Sequence, residues 1–377
     1  MSLGELSEHR LYWADSVKVD RYRRALAQLV TPRSVVLDLG CGTGLLGLLA
    51  VQLGARHVYA VDSGSILALA KQIADANGAG DRITHIRAMS TAVELPEQVD
   101  IVVADQLGGL GYEPGVLAYY ADARQRLLKP GGAFVPDRLR MLIAPVQCAE
   151  MTTEVDFWNT RPEGFDVSAA AAYVSNDVHS PKLDSGDLLA SPIVAHEQPT
   201  WVNESFILDG SFTIERDGSL QAIAGMFEAV MAGDVLMSNN PRSADHMQHR
   251  WNSLYPLPEP VRVRAGDTVA TTIKVDVDDE RVTWRVTVGE GAGRRTFNQS
   301  TFFASMLSAD DVRGLAKDHV PQLGQKGAMW RAGLEMVANG MTIGELEQEL
   351  SDKFPTVLTS AHKASEFVGH LVATAEA

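Results

Sequence analysis

The chain has 377 residues, of which 45% are hydrophobic, and it carries a formal net charge of −15 at pH 7. This length allows two or three domains with buried cores. The negative charge argues against a general nucleic-acid surface and favours basic ligands such as arginine-rich peptides, although solubility alone also accounts for it. The two cysteines and ten histidines show no disulfide framework and no metal-ligand spacing, so we expect no metal.

The amino-terminal residues are polar where a secretory signal needs an apolar core, and no apolar run approaches membrane-spanning length. We therefore expect a cytoplasmic protein without a membrane partner. The spacing of apolar residues over 5–30 predicts one or two helices. Within them Asp20 and Arg23 lie on one helical face, a spacing that an ordinary surface ion pair also has.

A strand, a glycine turn, a helix, a second strand and an acid come next. They are residues 35–37, then Gly40, Gly42 and Gly44, residues 45–53, residues 57–61 and Asp62. Glycines let the backbone turn sharply and approach a ligand closely, and a carboxylate at the tip of the second strand can accept both hydroxyls of a ribose. The stretch therefore predicts a nucleoside site.

The glycine spacing distinguishes between two classes of nucleoside-binding turn. A dinucleotide turn has the pattern GxGxxG, whereas this turn is GxGxG with Asp38 just before it. The pattern resembles motif I of the class I S-adenosylmethionine-dependent methyltransferases. In that family the turn passes under the methionine part of the cofactor. We prefer the methyltransferase interpretation to the two alternatives, a Rossmann dehydrogenase and a turn with only a structural role.

The rest of the predicted cofactor domain extends to about residue 145. A helix over 65–77 and a strand over 83–87 lead to Met89, Ser90 and Thr91, where such folds usually read the adenine ring. The strand 99–104 ends at Asp105, at the edge of the sheet where ligands bind. A glycine-rich loop and Glu113 follow, and residues 133–135 and 139–143 are predicted as closing strands.

The pattern of apolar and polar residues changes in the second half of the chain. Short, partly alternating segments between residues 206 and 288 predict an all-β barrel or sandwich. Before them, residues 150–189 lack clear periodicity and form either an arm that packs on a partner or a long surface loop. Residues 305–377 are predicted to be helical, with capping boxes at Ser308 and Thr342. We expect helices over 1–30, a Rossmann-like α/β domain over 31–145, a β domain over 146–300 and a helical segment over 305–377.

Four features, in this order along residues 10–300, resemble the protein arginine methyltransferase family. They are the helix with Asp20 and Arg23, the glycine turn with Asp62, the segment VDIVVADQLGGLGYE in place of the two-glutamate hairpin, and His249-Arg250-Trp251 in place of the Thr-His-Trp loop. The resemblance implies an S-adenosylmethionine-dependent enzyme that methylates arginine in a peptide or protein. It also implies a homodimer that uses the arm at 150–189.

The resemblance also assigns roles to residues. Asp105 and Glu113 would be the catalytic acids that hold the acceptor. Asp20, His249, Arg250 and Trp251 would lie between the domains, and Tyr12 would line the acceptor pocket or cover the cofactor. Packing in a core also accounts for Tyr12 and Trp251. The cofactor would be bound by Arg23, Asp38, Gly40, Gly42, Gly44, Asp62, Ser63, Met89, Ser90 and Thr91.

The chemistry of arginine explains a pair of acids. A guanidinium and the sulfonium of the donor are both cationic, and two carboxylates offset their repulsion while gripping the guanidinium through paired hydrogen bonds. The chain departs from the family here, because Asp105 is one methylene shorter than a glutamate and Arg250 stands where the family has a histidine. An Asp20–Arg250 salt bridge would preserve the domain contact, but Arg250 cannot act as a base.

These departures leave other functions open. A natural-product or small-molecule methyltransferase on the same scaffold is the main alternative, and a non-catalytic binding protein that keeps the cofactor fold is another. Residues 328–371 resemble PqqD-like elements that bind the leader peptides of ribosomal-peptide modifying enzymes. A plain helical cap or a dimerisation segment also fits that stretch.

Overall fold

In the computed structural model the described residues are 3–249 and 251–375. They fall into two compact units, which divide between Met306 and Leu307. None of the described helices is both long and apolar enough to cross a membrane.

Two helices open the first unit, α1 (Leu3–Ala14) and α2 (Ser16–Leu29). Asp15 separates them, and its side chain accepts a hydrogen bond from the Lys18 backbone N–H, which caps α2. The buried face of α2 carries Lys18, Tyr22, Ala25 and Leu26. This spacing places one stripe of the helix against the rest of the unit.

A five-stranded parallel sheet follows. Its strands are β1 (Val35–Leu39), β2 (His57–Asp62), β3 (Ile83–Arg87), β4 (Val99–Ala104) and β5 (Leu128–Val135), with helices α3 (Leu45–Gln52), α4 (Leu67–Ala76) and α5 (Val116–Asp122) between them. The strand order is β3-β2-β1-β4-β5, and every residue of β1 is buried. The order reverses direction between β1 and β4, so the carboxyl ends of these two strands border the crevice where such sheets bind ligands.

Two antiparallel sheets form the rest of the first unit. One has the order β10-β9-β6-β7 with β11 beside β9, and the other has the order β14-β13-β12-β8. The strands are β6 (Arg138–Val146), β7 (Ile193–Pro199), β8 (Phe206–Thr213), β9 (Gly218–Ala232), β10 (Val235–Ser238), β11 (Ser253–Val263), β12 (Thr268–Asp276), β13 (Arg281–Val288) and β14 (Arg295–Ser300). The predicted order of a Rossmann-like sheet followed by an all-β region is confirmed.

One strand belongs to a different sheet from the one we expected. Residues 139–143 were predicted to close the cofactor domain, but they lie in β6, which pairs with β7 and β9 in the antiparallel sheet. Strand pairing is a long-range property, and a local apolar run does not identify its partner.

The segment between β6 and β7 contains two short helices, α6 (Ala149–Phe157) and α7 (Ala171–Val174). Its aromatic side chains are largely exposed: Phe157 is 47% accessible, Phe165 72% and Tyr173 37%.

The second unit is helical, as predicted. It consists of α8 (Ala309–Gly314), α9 (Gln325–Ala338), α10 (Ile343–Lys353) and α11 (Ala361–Ala375). Both expected capping boxes, at Ser308 and Thr342, are present. Met329, Leu350 and Val368 belong to its own small core. Residues 307–375 contain no strand, so the described part of this unit lacks the sheet with which PqqD-like elements would bind a leader peptide.

Candidate active site

The glycine turn after β1 depends on the backbone freedom of its residues. Gly40, Gly42 and Gly44 have φ values of 67°, 51° and 84°, a region that other residues rarely adopt. The Gly40 N–H donates to the Val61 carbonyl oxygen over 2.9 Å, which ties the turn to β2. A Cβ atom at Gly40 would meet the flexible end of the Gln106 side chain, so the positive φ is the main reason for glycine at this position.

Helix α1 lies directly over this turn. The Trp13 indole N–H donates to the Thr43 hydroxyl over 2.9 Å, and a Cβ atom at Gly42 would lie 2.6 Å from His9 Cε1. The cavity beside the turn is therefore covered by the amino-terminal helix.

Asp62 ends β2 and faces the turn. Its Oδ2 accepts a hydrogen bond from the Gly42 backbone N–H at 2.9 Å, and its Oδ1 accepts one from Gly64 at 2.7 Å. The carboxylate is thus held in a fixed orientation, and its remaining lone pairs can accept further hydrogen bonds from hydroxyl groups.

Asp38 is a buried acid beside the same turn. Its Oδ2 accepts the Gly47 backbone N–H at 2.7 Å, whereas its buried Oδ1 has no hydrogen-bond partner in the described part of the chain. Burial raises the pKa of Asp38 to about 7; the nearby charges of Asp62 and Asp105 add to this increase, and the Gly47 hydrogen bond opposes it. A cationic group placed here would stabilise the ionised form.

Lys18 provides a cation opposite these acids. Its Nζ lies 2.5 Å from Asp105 Oδ2, and its side chain is almost completely buried. The ammonium also lies 3.9 Å from the centroid of the Tyr12 ring, a cation–π geometry. The Tyr22 hydroxyl lies 3.1 Å from Asp105 Oδ1, so both oxygens of Asp105 have fixed neighbours.

The loop that joins Asp105 to Glu113 is fixed at two points. The Tyr120 hydroxyl accepts from the Gln106 N–H at 3.0 Å and donates to the Gln106 carbonyl oxygen at 2.8 Å. The Asn239 side-chain amide donates to the Gly109 carbonyl oxygen at 2.6 Å. Because both α5 and the β domain hold this loop, the positions of the two acids depend on both parts of the first unit.

Three adjoining cavities surround these residues. The glycine-turn cavity, of about 290 Å³, is lined by the turn, Asp38, Asp62, Lys18, Asp105 and Glu113, together with residues of α1. The smaller strand-end cavity, of about 90 Å³, is lined by Ser63, Met89 and Ser90 and shares Gly40, Asp62 and Gln106 with the first. The aromatic cavity, of about 530 Å³, is lined by Tyr12, Tyr112, Trp251 and Tyr255, with Glu8, Glu113, Asp177 and Glu280 among the other lining residues.

Most of the predicted site residues lie together around these cavities. Asp105, Glu113, Asp38, Gly40, Gly42, Asp62 and Tyr12 line the glycine-turn cavity, Ser63, Met89 and Ser90 line the strand-end cavity, and Trp251 lines the aromatic cavity. Gly44 begins α3 just behind the turn. Thr91 is exposed and directly follows Ser90.

Neither Asp20 nor Arg23 of α2 lines these three cavities. Arg23 is exposed, about 140° around the helix from Lys18, and Asp20 forms an ion pair with Arg21 at 2.8 Å. Lys18 instead lines the glycine-turn cavity, because the buried stripe of α2 passes through Lys18 and Tyr22.

Asp15 contacts His249, the residue just before the position expected to pair with Asp20. Its carboxylate is buried and accepts a hydrogen bond from the His249 backbone N–H at 2.9 Å. His249 therefore takes part in the domain contact through its backbone. Arg250 lies outside the described residues. The sequence does contain a signal for the position of Asp15 at the start of α2, because aspartate is a preferred N-cap residue.

Family models match both halves of the first unit. The model described as ribosomal protein L11 methyltransferase (PrmA) matches residues 23–136, and the arginine methyltransferase oligomerization subdomain matches residues 137–286. Protein arginine N-methyltransferase 6 of Xenopus tropicalis is 29% identical over 313 residues, which cover 77% of this chain and 91% of that protein. The chain is similar to the protein arginine methyltransferases along most of its first unit.

Other arginine methyltransferases match smaller regions of the chain. Protein arginine N-methyltransferase 6 of Danio rerio is 31% identical over 52% of this chain, and a probable protein arginine N-methyltransferase 6 of Arabidopsis thaliana is 33% identical over 45% of it. These two matches span only 57% and 39% of the relatives' own lengths.

Solved structures of arginine methyltransferases share the fold. The Trypanosoma brucei PRMT1 enzyme–prozyme heterotetramer with AdoHcy has a TM-score of 0.67 at 23% identity, covering 77% of this chain and 97% of that one. Arabidopsis thaliana protein arginine methyltransferase 10 has a TM-score of 0.65 at 20% identity, covering 78% and 96%.

The residues present fit the family's cofactor. Asp62 offers a fixed carboxylate to a ribose, the unpaired Asp38 Oδ1 offers a buried acceptor to a cationic group, and Lys18 offers an ammonium to a carboxylate. Cys41 also lines the glycine-turn cavity. Burial raises the pKa of its thiol, and the neighbouring Asp38 and Asp62 charges raise it further, so Cys41 is a protonated packing residue.

Proposed function

We propose that the protein is an S-adenosylmethionine-dependent N-methyltransferase that methylates the guanidino group of arginine in a peptide or protein. One observation carries the proposal: Asp105 and Glu113 line the same cavity as the glycine turn, and Glu113 also lines the aromatic cavity beside it. An acceptor entering through the aromatic cavity would reach the two acids next to the cofactor site.

The cofactor would extend across the two smaller cavities. Asp62, shared by both, would accept the ribose hydroxyls, and Ser63, Met89 and Ser90 would surround the adenine. Lys18 would pair with the cofactor carboxylate, and Asp38 would face its cationic groups. When bound, S-adenosylmethionine supplies a methyl group attached to a cationic sulfur.

The aromatic cavity suits a cationic acceptor. Its described lining residues include four carboxylates and no lysine, arginine or histidine. Aromatic rings can hold a guanidinium by stacking and cation–π contact, and the acids attract its charge. Burial raises the pKa of Tyr112, and the charges of Glu280 and Asp276 raise it further, so this tyrosine remains a neutral wall of the cavity.

The acids act on the acceptor by position and charge. A carboxylate that accepts two guanidinium N–H bonds would concentrate the positive charge away from the third nitrogen and leave that nitrogen as the acceptor of the methyl group. Holding that nitrogen in line with the methyl group removes much of the entropic part of the barrier. Lys18 would balance the negative charge that Asp105 brings into the cavity.

Methyl transfer to matched peptides tests the proposal. The protein is incubated with isotopically labelled S-adenosylmethionine and a peptide that contains one arginine, and the products are fragmented by mass spectrometry. We expect the label on the guanidino group and none on a peptide with lysine in place of arginine. Tight cofactor binding without transfer to any arginine peptide would refute the acceptor assignment.

A small-molecule acceptor is the second candidate, and the Lys18–Asp105 ion pair favours it. This pair already offsets the charge of one acid, so the site could accept a smaller or less charged molecule. Product profiling with small guanidines, amines and carboxylic acids separates the two functions, because only the first candidate requires a peptide.

We also propose a homodimer, which is supported by the match of residues 137–286 to an oligomerization subdomain and by the exposed Phe157, Phe165 and Tyr173 of the arm. Light scattering at micromolar concentration is expected to give twice the mass of the chain. A monomer at that concentration would contradict the proposal.

A further inference from the structure

Helix α1 brings an acid to the junction of two cavities. Glu8, Tyr12 and Glu113 line both the glycine-turn cavity and the aromatic cavity. These three residues therefore mark the passage between the proposed acceptor entrance and the cofactor site. Glu8 lies on a polar, exposed stretch of α1, and local sequence patterns therefore do not place it in a site.

The described lining of the two cavities has more acidic side chains than basic ones. Lys18 Nζ lies 2.5 Å from Asp105, so an ammonium already offsets the charge of that acid. Among the described residues that line the two cavities, Lys18 is the one lysine or arginine. An arginine side chain that arrives in the passage would therefore meet two further carboxylates, Glu113 and Glu8, which line both cavities.

Hydrogen bonding gives Glu8 a defined orientation. Its Oε1 accepts a hydrogen bond from the Tyr12 hydroxyl at 2.5 Å, and the Lys18 ammonium lies over the ring of the same tyrosine. The second carboxylate oxygen of Glu8 retains its capacity to accept hydrogen bonds. Tyr12 thus connects Glu8 to the Lys18–Asp105 pair through one continuous set of contacts.

The wall of the aromatic cavity contains a further polar group. The Tyr112 side chain is about nine-tenths buried, and its hydroxyl has no hydrogen-bond partner in the described part of the chain. An unpaired buried hydroxyl is unfavourable, and an acceptor peptide would supply polar atoms near it.

We propose that Glu8 is an acceptor-binding residue that grips the substrate guanidinium together with Glu113. This inference rests on the proposed arginine methyltransferase function and assigns to α1 a part of the acceptor site. It also accounts for the shortened Asp105, because Glu8 would supply the second carboxylate contact that a longer first acid would otherwise make.

Steady-state kinetics of Glu8→Gln and Glu8→Asp, with full-length protein and an arginine peptide, test the inference. Loss of a charged hydrogen-bond partner is expected to raise the peptide KM at least about tenfold in Glu8→Gln. The Kd of S-adenosylhomocysteine, measured by calorimetry, should change less than about twofold. Glu8→Asp keeps the charge and is expected to recover part of the loss. Glu94→Gln, an exposed glutamate outside these cavities, is the matched control.

The outcomes separate the inference from the function on which it rests. An unchanged peptide KM in Glu8→Gln, with an active wild type, would overturn only the role of Glu8. An equal loss of cofactor affinity and peptide affinity would mean that Glu8 orders α1 and does not contact the acceptor. A wild type that methylates no arginine peptide would refute both statements.

Discussion

The Lys18 ammonium lies 2.5 Å from the Asp105 carboxylate, in a pair of which Lys18 is 4% and Asp105 19% accessible. This buried contact joins α2 to the end of β4, next to the glycine turn. In the proposed enzyme the same ammonium serves two partners, the cofactor carboxylate and the acid beside the acceptor. Lys18 therefore couples the two halves of the site.

Replacing Lys18 by Met is expected to weaken cofactor binding and to destabilise the fold. The change removes the cation and leaves Asp105 as a poorly compensated charge, which costs about 3 kcal/mol of unfolding free energy. Chemical denaturation and calorimetry with S-adenosylhomocysteine measure the two effects. Lys18→Arg keeps the charge and is the control. An unchanged cofactor affinity in Lys18→Met would show that Lys18 supports the structure alone.

Replacing Asp62 by Asn is expected to lower cofactor affinity about tenfold or more, since the carboxylate is replaced by a group with one acceptor oxygen. The hydrogen bonds from Gly42 and Gly64 compete for that single oxygen. Asp81→Asn, at an exposed position before β3, serves as control. Equal affinity in both variants would exclude ribose binding at Asp62.

The raised pKa of Asp38, about 7 against an ordinary value of 3.8, predicts a pH effect on stability. The folded state holds its proton more tightly than the unfolded state, so the stabilising contribution is complete below pH 4 and is lost as pH rises through 7. Asp38→Asn should remove this contribution. The difference between wild-type and variant unfolding free energies, measured from pH 4 to 8, isolates it, and a pH-independent difference would contradict the assignment.

The same group predicts the pH dependence of cofactor binding. A cationic ligand favours ionised Asp38, so the affinity for S-adenosylmethionine should increase as pH rises from 6 to 8. In Asp38→Asn this increase should be much smaller. Calorimetric titrations at both pH values compare the two proteins, and an identical pH dependence would place the cationic groups away from Asp38.

Replacing Glu113 by Gln is expected to reduce turnover far more than cofactor affinity, by about a hundredfold or more, because electrostatic stabilisation acts on the transition state. Single-turnover methyl transfer and the Kd of S-adenosylhomocysteine give the two quantities. A parallel decrease in both would make Glu113 a structural residue of the loop.

Local patterns predicted the glycine turn, the parallel strands and the capping boxes, because their signals lie within a few residues of one another. The sequence also placed Asp38, Asp62 and Asp105 correctly around one cavity. It could not identify Lys18, because the spacing within α2 does not say which face of the helix is buried. Glu8 was missed for a related reason: its role arises only where α1 crosses the glycine turn.

The central claim is that acids at the junction of the glycine-turn and aromatic cavities hold a cationic acceptor beside the cofactor. A crystal structure with S-adenosylhomocysteine and an arginine peptide tests it most directly. We expect the guanidinium within about 3 Å of the Glu113 carboxylate, next to the cofactor sulfur and opposite Asp105. A guanidinium bound outside the glycine-turn cavity, or Glu113 turned away from it, would contradict the claim.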